Sequence, residues 1–308
     1  MHFREHFLNL FLFEAFLRVF VNLFWFSINA SKNVFSYYIY MRYYLLIIIL
    51  IIFIVTLSII INKTYSYESF TSNISIVNLV LYSNDTEYDK MYNLTKKYYS
   101  RFSNVKTIYY KFDERLTNEY ELKNDILLIK GKETYIPGIL DKTVSAFQYI
   151  DKHYEFDYMI RSNISTIVDF DLLTEYLQDY PIQYGGGLKN IISGDKNHPD
   201  LEKLIYASGT SIVFSRSVLK EFLNKKLHIR KDLIDDVSIG VVMRDHLQSV
   251  EQHYMPENRF IFIPDAKGDS SKIVDIIKNK SYIFYRNRQD ERKTDVKQME
   301  IIIDYLSK

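Results

Sequence analysis

The stretch LLIIILIIFIVTLSIII, Leu45 to Ile61, constrains this 308-residue chain more than any other. It carries no charge, and its only polar residues are Thr56 and Ser58. With Tyr43 and Tyr44 before it, it reaches the roughly 20 helical residues that a bilayer core requires. Arg42 and the two tyrosines stand at one end and Asn62-Lys63 at the other, the residue types expected at the interfaces. A core helix of a globular domain would show a polar face, which this run lacks. It is therefore predicted to be a single transmembrane signal-anchor over 43–62, followed by a short polar stem over 63–72 and a domain over 73–308.

Residues 1–42 are read as a cytoplasmic tail or as upstream sequence. Phe7 to Phe26 is apolar, but it carries Glu14 and Arg18, which can pair on a helix and still raise the cost of insertion. Met41-Arg42 followed at once by the apolar run is a complete short signal-anchor, which makes Met41 a second candidate start beside Met1. Lys32 and Arg42 against Lys63 bias the amino end to the cytoplasm, the type II orientation. Seven Asn-x-Ser/Thr sequons, at Asn29, Asn62, Asn73, Asn84, Asn93, Asn163 and Asn279, favour the same lumenal or exterior side for the domain.

Charge and cysteine content exclude several functions. Lys and Arg number 39 against 38 Asp and Glu, so no net field draws the chain to nucleic acid. With no cysteine there is neither thiol chemistry nor a disulfide scaffold.

Beyond the stem, strand and helix patterns alternate. Buried strands are predicted at Ile74 to Ser83, Val105 to Phe112, Asp125 to Gly131 and Phe156 to Arg161. A helix is expected over about Glu87 to Phe102. A second follows Pro137-Gly138, where Leu140, Val144, Phe147, Ile150 and Tyr154 recur at helical spacing. This rhythm implies an α/β fold, a Rossmann-like mixed sheet flanked by helices, with ligands at the carboxyl ends of the strands. Dinucleotide and P-loop glycine motifs are absent, and Gly185-Gly186-Gly187 reads as a turn in a loop.

The second half is more specific. IYASGTSIVFSRSVLKEFL, Ile205 to Leu223, is a glycine-centred turn, a strand, and a helix capped by Ser215 or Ser217 and running through Leu227. LIDDVSIGVVMRDH, Leu233 to His246, sets two adjacent carboxylates at the start of a further helix. Together these resemble the fringe-like β-1,3-glycosyltransferases of the GT-A fold. Tyr206-Ala207-Ser208-Gly209 and Phe214-Ser215 match one family segment, Asp235-Asp236-Val237-Ser238-Ile239-Gly240 another, and Lys142-Thr143 a third, in the family's order. The tail, anchor and stem also match its type II layout, which implies a Golgi, ER or other internal membrane.

The resemblance implies an inverting transferase taking a nucleotide-sugar, UDP-linked in this family, and a glycan or glycoprotein acceptor. Asp236 falls at the family's general-base position with Asp235 beside it. Without the resemblance, the pair reads as helix-capping carboxylates. Lys142, Arg161, Asn163, Ser165, Ser208 and Gly209 are the implied donor contacts. The family's acidic metal motif falls on Asn163-Ile164-Ser165, two neutral side chains, so Mn²⁺ or Mg²⁺ is expected to bind weakly. Arg161 and Lys142 are then the cations left for the diphosphate. The alternative ligands are Asp169 and Asp171, which otherwise read as acids opening a helix. His246 and His253 have no secure counterpart. Arg286, Arg288 and Arg292, beside a last strand (Tyr282 to Tyr285) and a closing helix, could face phosphate but read better as a solvated charged edge. A metal-independent branching-type transferase and an inactive glycan- or nucleotide-binding relative remain as alternatives. The sequence leaves the oligomeric state open.

Overall fold

Alternation along the first strand sets the layers of the molecule. In β1 (Ile76–Leu81), Ile76 and Val80 enter one apolar cluster while Val77 and Leu79 enter another. That is the two-residue period of a strand covered on both faces. The computed structural model describes residues 74–266, 269–278 and 280–308. The predicted tail or leader, anchor and stem all lie outside the described residues. Among the described residues, no helix is long and apolar enough to cross a membrane.

After β1 come helix α1 (Thr86–Tyr99), strands β2 (Val105–Asp113), β3 (Tyr120–Lys123) and β4 (Ile126–Lys130), helix α2 (Gly138–His153) and strand β5 (Tyr158–Asn163). Asp85 opens α1 by accepting the Glu87 backbone N–H at 2.8 Å, the usual way to satisfy a helix's first free donors. The four expected strands and both expected helices form here, with ends shifted by a few residues. β3 is additional; its residues YELK alternate between half-exposed and exposed, so no apolar run marks it.

The remainder comprises β6 (Thr166–Val168), α3 (Phe170–Asp179), β7 (Tyr184–Gly186), β8 (Lys189–Ile191), β9 (Ile205–Ala207), β10 (Ile212–Ser215) and α4 (Arg216–Asn224). Then follow α5 (Asp235–His246), β11 (Gln252–Tyr254), β12 (Phe260–Ile263), α6 (Ser270–Ile277), β13 (Phe284–Asn287) and α7 (Arg292–Leu306). Eight strands form the main sheet in the order β11-β7-β10-β5-β1-β2-β4-β3. β10 runs antiparallel to both neighbours, so the sheet is mixed, as the sequence implies. β12-β13-β6 and β8-β9 are two smaller sheets.

One face of the main sheet carries the cluster containing Met91 of α1, Phe170 of α3 and Met299 of α7. The other carries Phe147 of α2, Phe222 of α4 and Met243 of α5. There the Phe147 ring lies 5.7 Å from that of Phe214 and 6.1 Å from that of Phe222, edge-on in both cases. Burying a side chain of this size contributes about 1.5–3 kcal/mol, so such contacts, rather than helix propensity, hold α2 and α4 down.

The glycine triplet is not the loop expected from sequence. Gly185 and Gly186 lie inside β7, buried between β10 and β11. A Cβ on Gly185 would overlap the His253 carbonyl, and one on Gly186 the Ser211 carbonyl. Close backbone approach requires glycine at this point. Gly186→Ala should therefore lower unfolding stability by about 3 kcal/mol, the upper end for an overpacked core. Urea unfolding monitored by circular dichroism measures this; an unchanged midpoint would show that the strand can move aside.

Candidate functional site

Parallel strands β1 and β5 end side by side, Leu81 pairing with Asn163. A cleft of about 520 Å³ opens at that edge, where ligands bind on sheets of this kind. Arg161 and Asn163 contribute from β5. Ser208 and Gly209 come from the turn between β9 and β10, and Asp235 and Asp236 from the first turn of α5. Ser165, Arg286, Arg288 and Arg292 also line it.

The two adjacent aspartates have different surroundings. Asp235 is 2% exposed and forms an ion pair with Arg161, itself 1% exposed. The Thr143 hydroxyl donates to the same Asp235 oxygen at 3.2 Å, and Tyr110 meets Thr143 at 2.9 Å. Arg161 also donates to Asn163 Oδ1 at 3.0 Å and to the Gly209 carbonyl. Asp236 is only half-buried and accepts backbone N–H groups from Gly209 (2.8 Å) and Val237 (2.9 Å). A carboxylate has about four acceptor positions, so Asp236 keeps capacity toward the cleft. Burial, and then the charge of Asp235, push its carboxyl up to about 6. Glycine is needed at 209 because a Cβ would stand 2.5 Å from an Arg161 nitrogen and 3.3 Å from an Asp236 oxygen.

Lys142 is absent from the cleft lining. It is buried, and its ammonium donates to Glu133 at 2.6 and 2.9 Å and to the Tyr82 carbonyl and Ser83 hydroxyl at 3.3 Å each. Burial pulls its pKa below the ordinary lysine value, with Glu133 opposing. Glu133 lines a second cavity, also about 520 Å³, which shares Ser83 with the first and lies against Asn84, Phe112 and Asp113.

Neither candidate metal position suits a divalent cation. Asn163 Oδ1 faces an Arg161 N–H, and Ser165 Oγ accepts from Arg286. A cation at those oxygens would meet two guanidinium groups. Asp169 instead opens α3, accepting the Asp171 and Leu172 N–H groups at 3.1 Å each. Asp171 is exposed and 3.5 Å from Arg101, and neither acid lines the cleft. Among the described residues, no three His, Asp or Glu side chains gather in a metal-holding group. His253 meets the Tyr176 hydroxyl at 2.9 Å and His246 stacks on His228, both away from the cleft.

The arginines differ from the solvated edge expected for them. Arg286 is 7% exposed, and all three line the cleft. In the sequence they look like any charged turn. Only the pairing of β13 with β6 turns Arg286 inward, onto Ser165. Tyr135 and Phe262, two exposed rings at the cleft, were equally unmarked.

No protein-family model and no curated protein sequence matches this chain. Among solved structures, it is similar to a glycosyltransferase involved in the glycosylation of the major capsid of PBCV-1. Identity is 10% and the TM-score 0.42, over 73% of this chain and 99% of that one. It is also similar to mouse xyloside xylosyltransferase 1 in its apo form, at 10% identity and a TM-score of 0.39, over 69% and 97% of the two chains. The glycosyltransferase GlyE of Streptococcus pneumoniae TIGR4 is similar at 11% identity and a TM-score of 0.39. There the match covers 75% of this chain but 62% of GlyE.

Removing one member of a buried ion pair strands the other charge, at a cost of about 3–5 kcal/mol. Arg161→Met should lose that much unfolding free energy. Guanidinium titration of the variant against the parent measures it, and a loss under about 1 kcal/mol would mean that Asp235 had found water or taken a proton.

Proposed function

We propose that this chain is an inverting GT-A glycosyltransferase, moving a sugar from a nucleotide-sugar donor to a hydroxyl of a glycan or glycoprotein. The observation that carries this reading is the division of labour between the two aspartates at the cleft. One is buried and committed to Arg161; its neighbour is open to the cleft with a raised pKa. A general base needs access to the proton it removes and a pKa near the working pH. Asp236 meets both requirements, and Asp235 acts through Arg161 as a positioning residue.

In the step itself, the acceptor oxygen attacks the anomeric carbon from the face opposite the diphosphate. The bond from that carbon to the diphosphate oxygen breaks, and its electron pair leaves with the nucleoside diphosphate. The acceptor's proton passes to Asp236. A single displacement of this kind inverts the sugar carbon. Ser208 and Gly209 form the wall beside the base, and Arg161 and Asn163 the floor of the donor site. The second cavity suits the nucleoside, with Lys142 acting from behind to hold Glu133 and Ser83 in its wall. Tyr135 and Phe262 offer apolar faces to an acceptor at the cleft mouth.

The apolar run Leu45 to Ile61 and the sequons beyond it support a type II anchor with this domain on the lumenal side of an internal membrane. A UDP-linked donor rests on the resemblance in the Ser208-Gly209 and Asp235-Asp236 segments. Because the would-be metal oxygens already bond guanidinium groups, the metal-independent form of this reading is the one we favour.

Nucleoside diphosphate release from a panel of sugar nucleotides, with acceptor glycans present, tests the reading. Asp236→Asn should reduce turnover by roughly 10²–10⁴-fold, the usual worth of a positioned base, while its melting temperature and UDP binding stay close to the parent's. Retained turnover would falsify the assignment. The base works deprotonated, so kcat/KM should rise as pH increases through about 6 and level off above it. A profile flat from pH 5 to 8 would remove Asp236 from the proton transfer.

A further inference from the structure

We infer that Arg286, Arg288 and Arg292, together with the Ser165 hydroxyl, form a diphosphate-binding wall that does the work of a divalent cation in this cleft. The inference rests on the transferase reading for its ligand, but its geometry stands apart from the catalytic aspartates.

Arg286 is the centre of the wall. It is more than nine-tenths buried, yet among the described residues it has no carboxylate in an ion pair. Among the described residues its guanidinium donates to Ser165 Oγ, and its Nε has no partner. Burying a cation without a paired carboxylate is costly; the nearby charge of Asp295 offsets this only in part, and the cost falls at a cleft. Burial and then the charge of Arg292 hold its pKa down at about 10, so it remains charged at neutral pH.

Of the two other arginines, Arg292 lies where helix electrostatics disfavour it. Arg292 is the first residue of α7, and Arg288 precedes the helix by a few residues. Cations at a helix amino end oppose its dipole, whereas anions are favoured there. Asp295, fully buried in the first turn, offsets one charge by pairing with Arg292 at 2.7 Å. Arg292 also lies 5.8 Å from the centre of the Tyr88 ring, which fixes it at the cleft wall. Three guanidiniums less one carboxylate leave two positive charges, equal to the two negative charges of a nucleotide-sugar diphosphate. When the sugar bond breaks, the leaving group gains a further negative charge. Fixed donors already aimed at it would stabilise that change without reorganising. Arginine is suited to this because its planar fork bonds two phosphate oxygens at once.

The test is calorimetric titration of the full-length chain in detergent with inorganic pyrophosphate and with UDP, each in EDTA and in Mn²⁺. Both ligands should bind in EDTA, with affinities that Mn²⁺ leaves unchanged. Arg288→Gln should weaken both by roughly ten- to a hundredfold, the worth of one charge-assisted hydrogen bond. Arg288 is exposed, so this variant keeps its fold. Arg286→Lys, checked by its melting curve, should weaken both ligands as well, because an ammonium cannot reproduce the fork. Binding that requires Mn²⁺, no binding in either condition, or unchanged affinity in both variants would overturn the wall. Running donor turnover alongside separates the two readings. Turnover that needs Mn²⁺ keeps the transferase and removes the wall. Arginine-dependent pyrophosphate binding with no donor turned over keeps the wall and removes the transferase.

Discussion

The ion pair between Arg161 and Asp235 ties the cleft together. Arg161 projects from the central parallel strand β5, Asp235 from the first turn of α5, and the Gly209 carbonyl from the turn leading into β10. Three segments far apart in sequence thus meet at one guanidinium. The pair is not justified as a source of stability, since two buried charges cost several kcal/mol each to desolvate and a well-packed apolar pair would hold the fold as well. What it provides is position. With Asp235 neutralised by Arg161, its neighbour Asp236 can face the cleft, and the close approach at Gly209 brings a backbone N–H onto that second carboxylate.

The cleft is consequently bipolar. Its acid end is built from α5 and the turn before β10. Its basic end is built from β13 and the start of α7, on the smaller sheet that packs beside the main one. The helix dipoles make the contrast informative. Two carboxylates at the amino end of α5 are where helix electrostatics favour them, so their presence alone says little. An arginine at the amino end of α7 is where electrostatics oppose it, and this is the more telling departure. Local rules are expected to be broken where function requires it.

Much of the fold was legible along the chain. β1 and β2 show as β-branched and aromatic runs, and α2 as an apolar stripe. The capping residues Asp169 and Ser215 stand where helices begin. Legibility failed where an element draws its reason from a distant partner. β3 is a weakly patterned edge strand, and Gly185-Gly186 has the composition of a turn but the packing of a central strand. The site divides similarly. Arg161, Asn163, Ser165, Ser208, Gly209, Asp235 and Asp236, singled out from sequence, do line one cleft, whereas Lys142 stands behind it and Asp169 and Asp171 lie elsewhere. The three arginines were visible as charges that could face phosphate, but their burial and shared place in the cleft were not.

By itself, the sequence determined the alternation of strands and helices, the apolar run that reads as an anchor, and the adjacent carboxylates at a helix start. These follow from periodicity, length and capping, which act over a few residues. Only the tertiary structure decided which aspartate is committed to Arg161, that the Asn163 and Ser165 oxygens are held by guanidiniums, and that Arg286 is buried and turned inward. Apart from the Asn163 bond to Arg161, two positions away, these depend on residues tens to more than a hundred positions apart meeting in space, as Ser165 and Arg286 do across a sheet edge. Burial and charge pairing are properties of that meeting, and neither partner carries them alone.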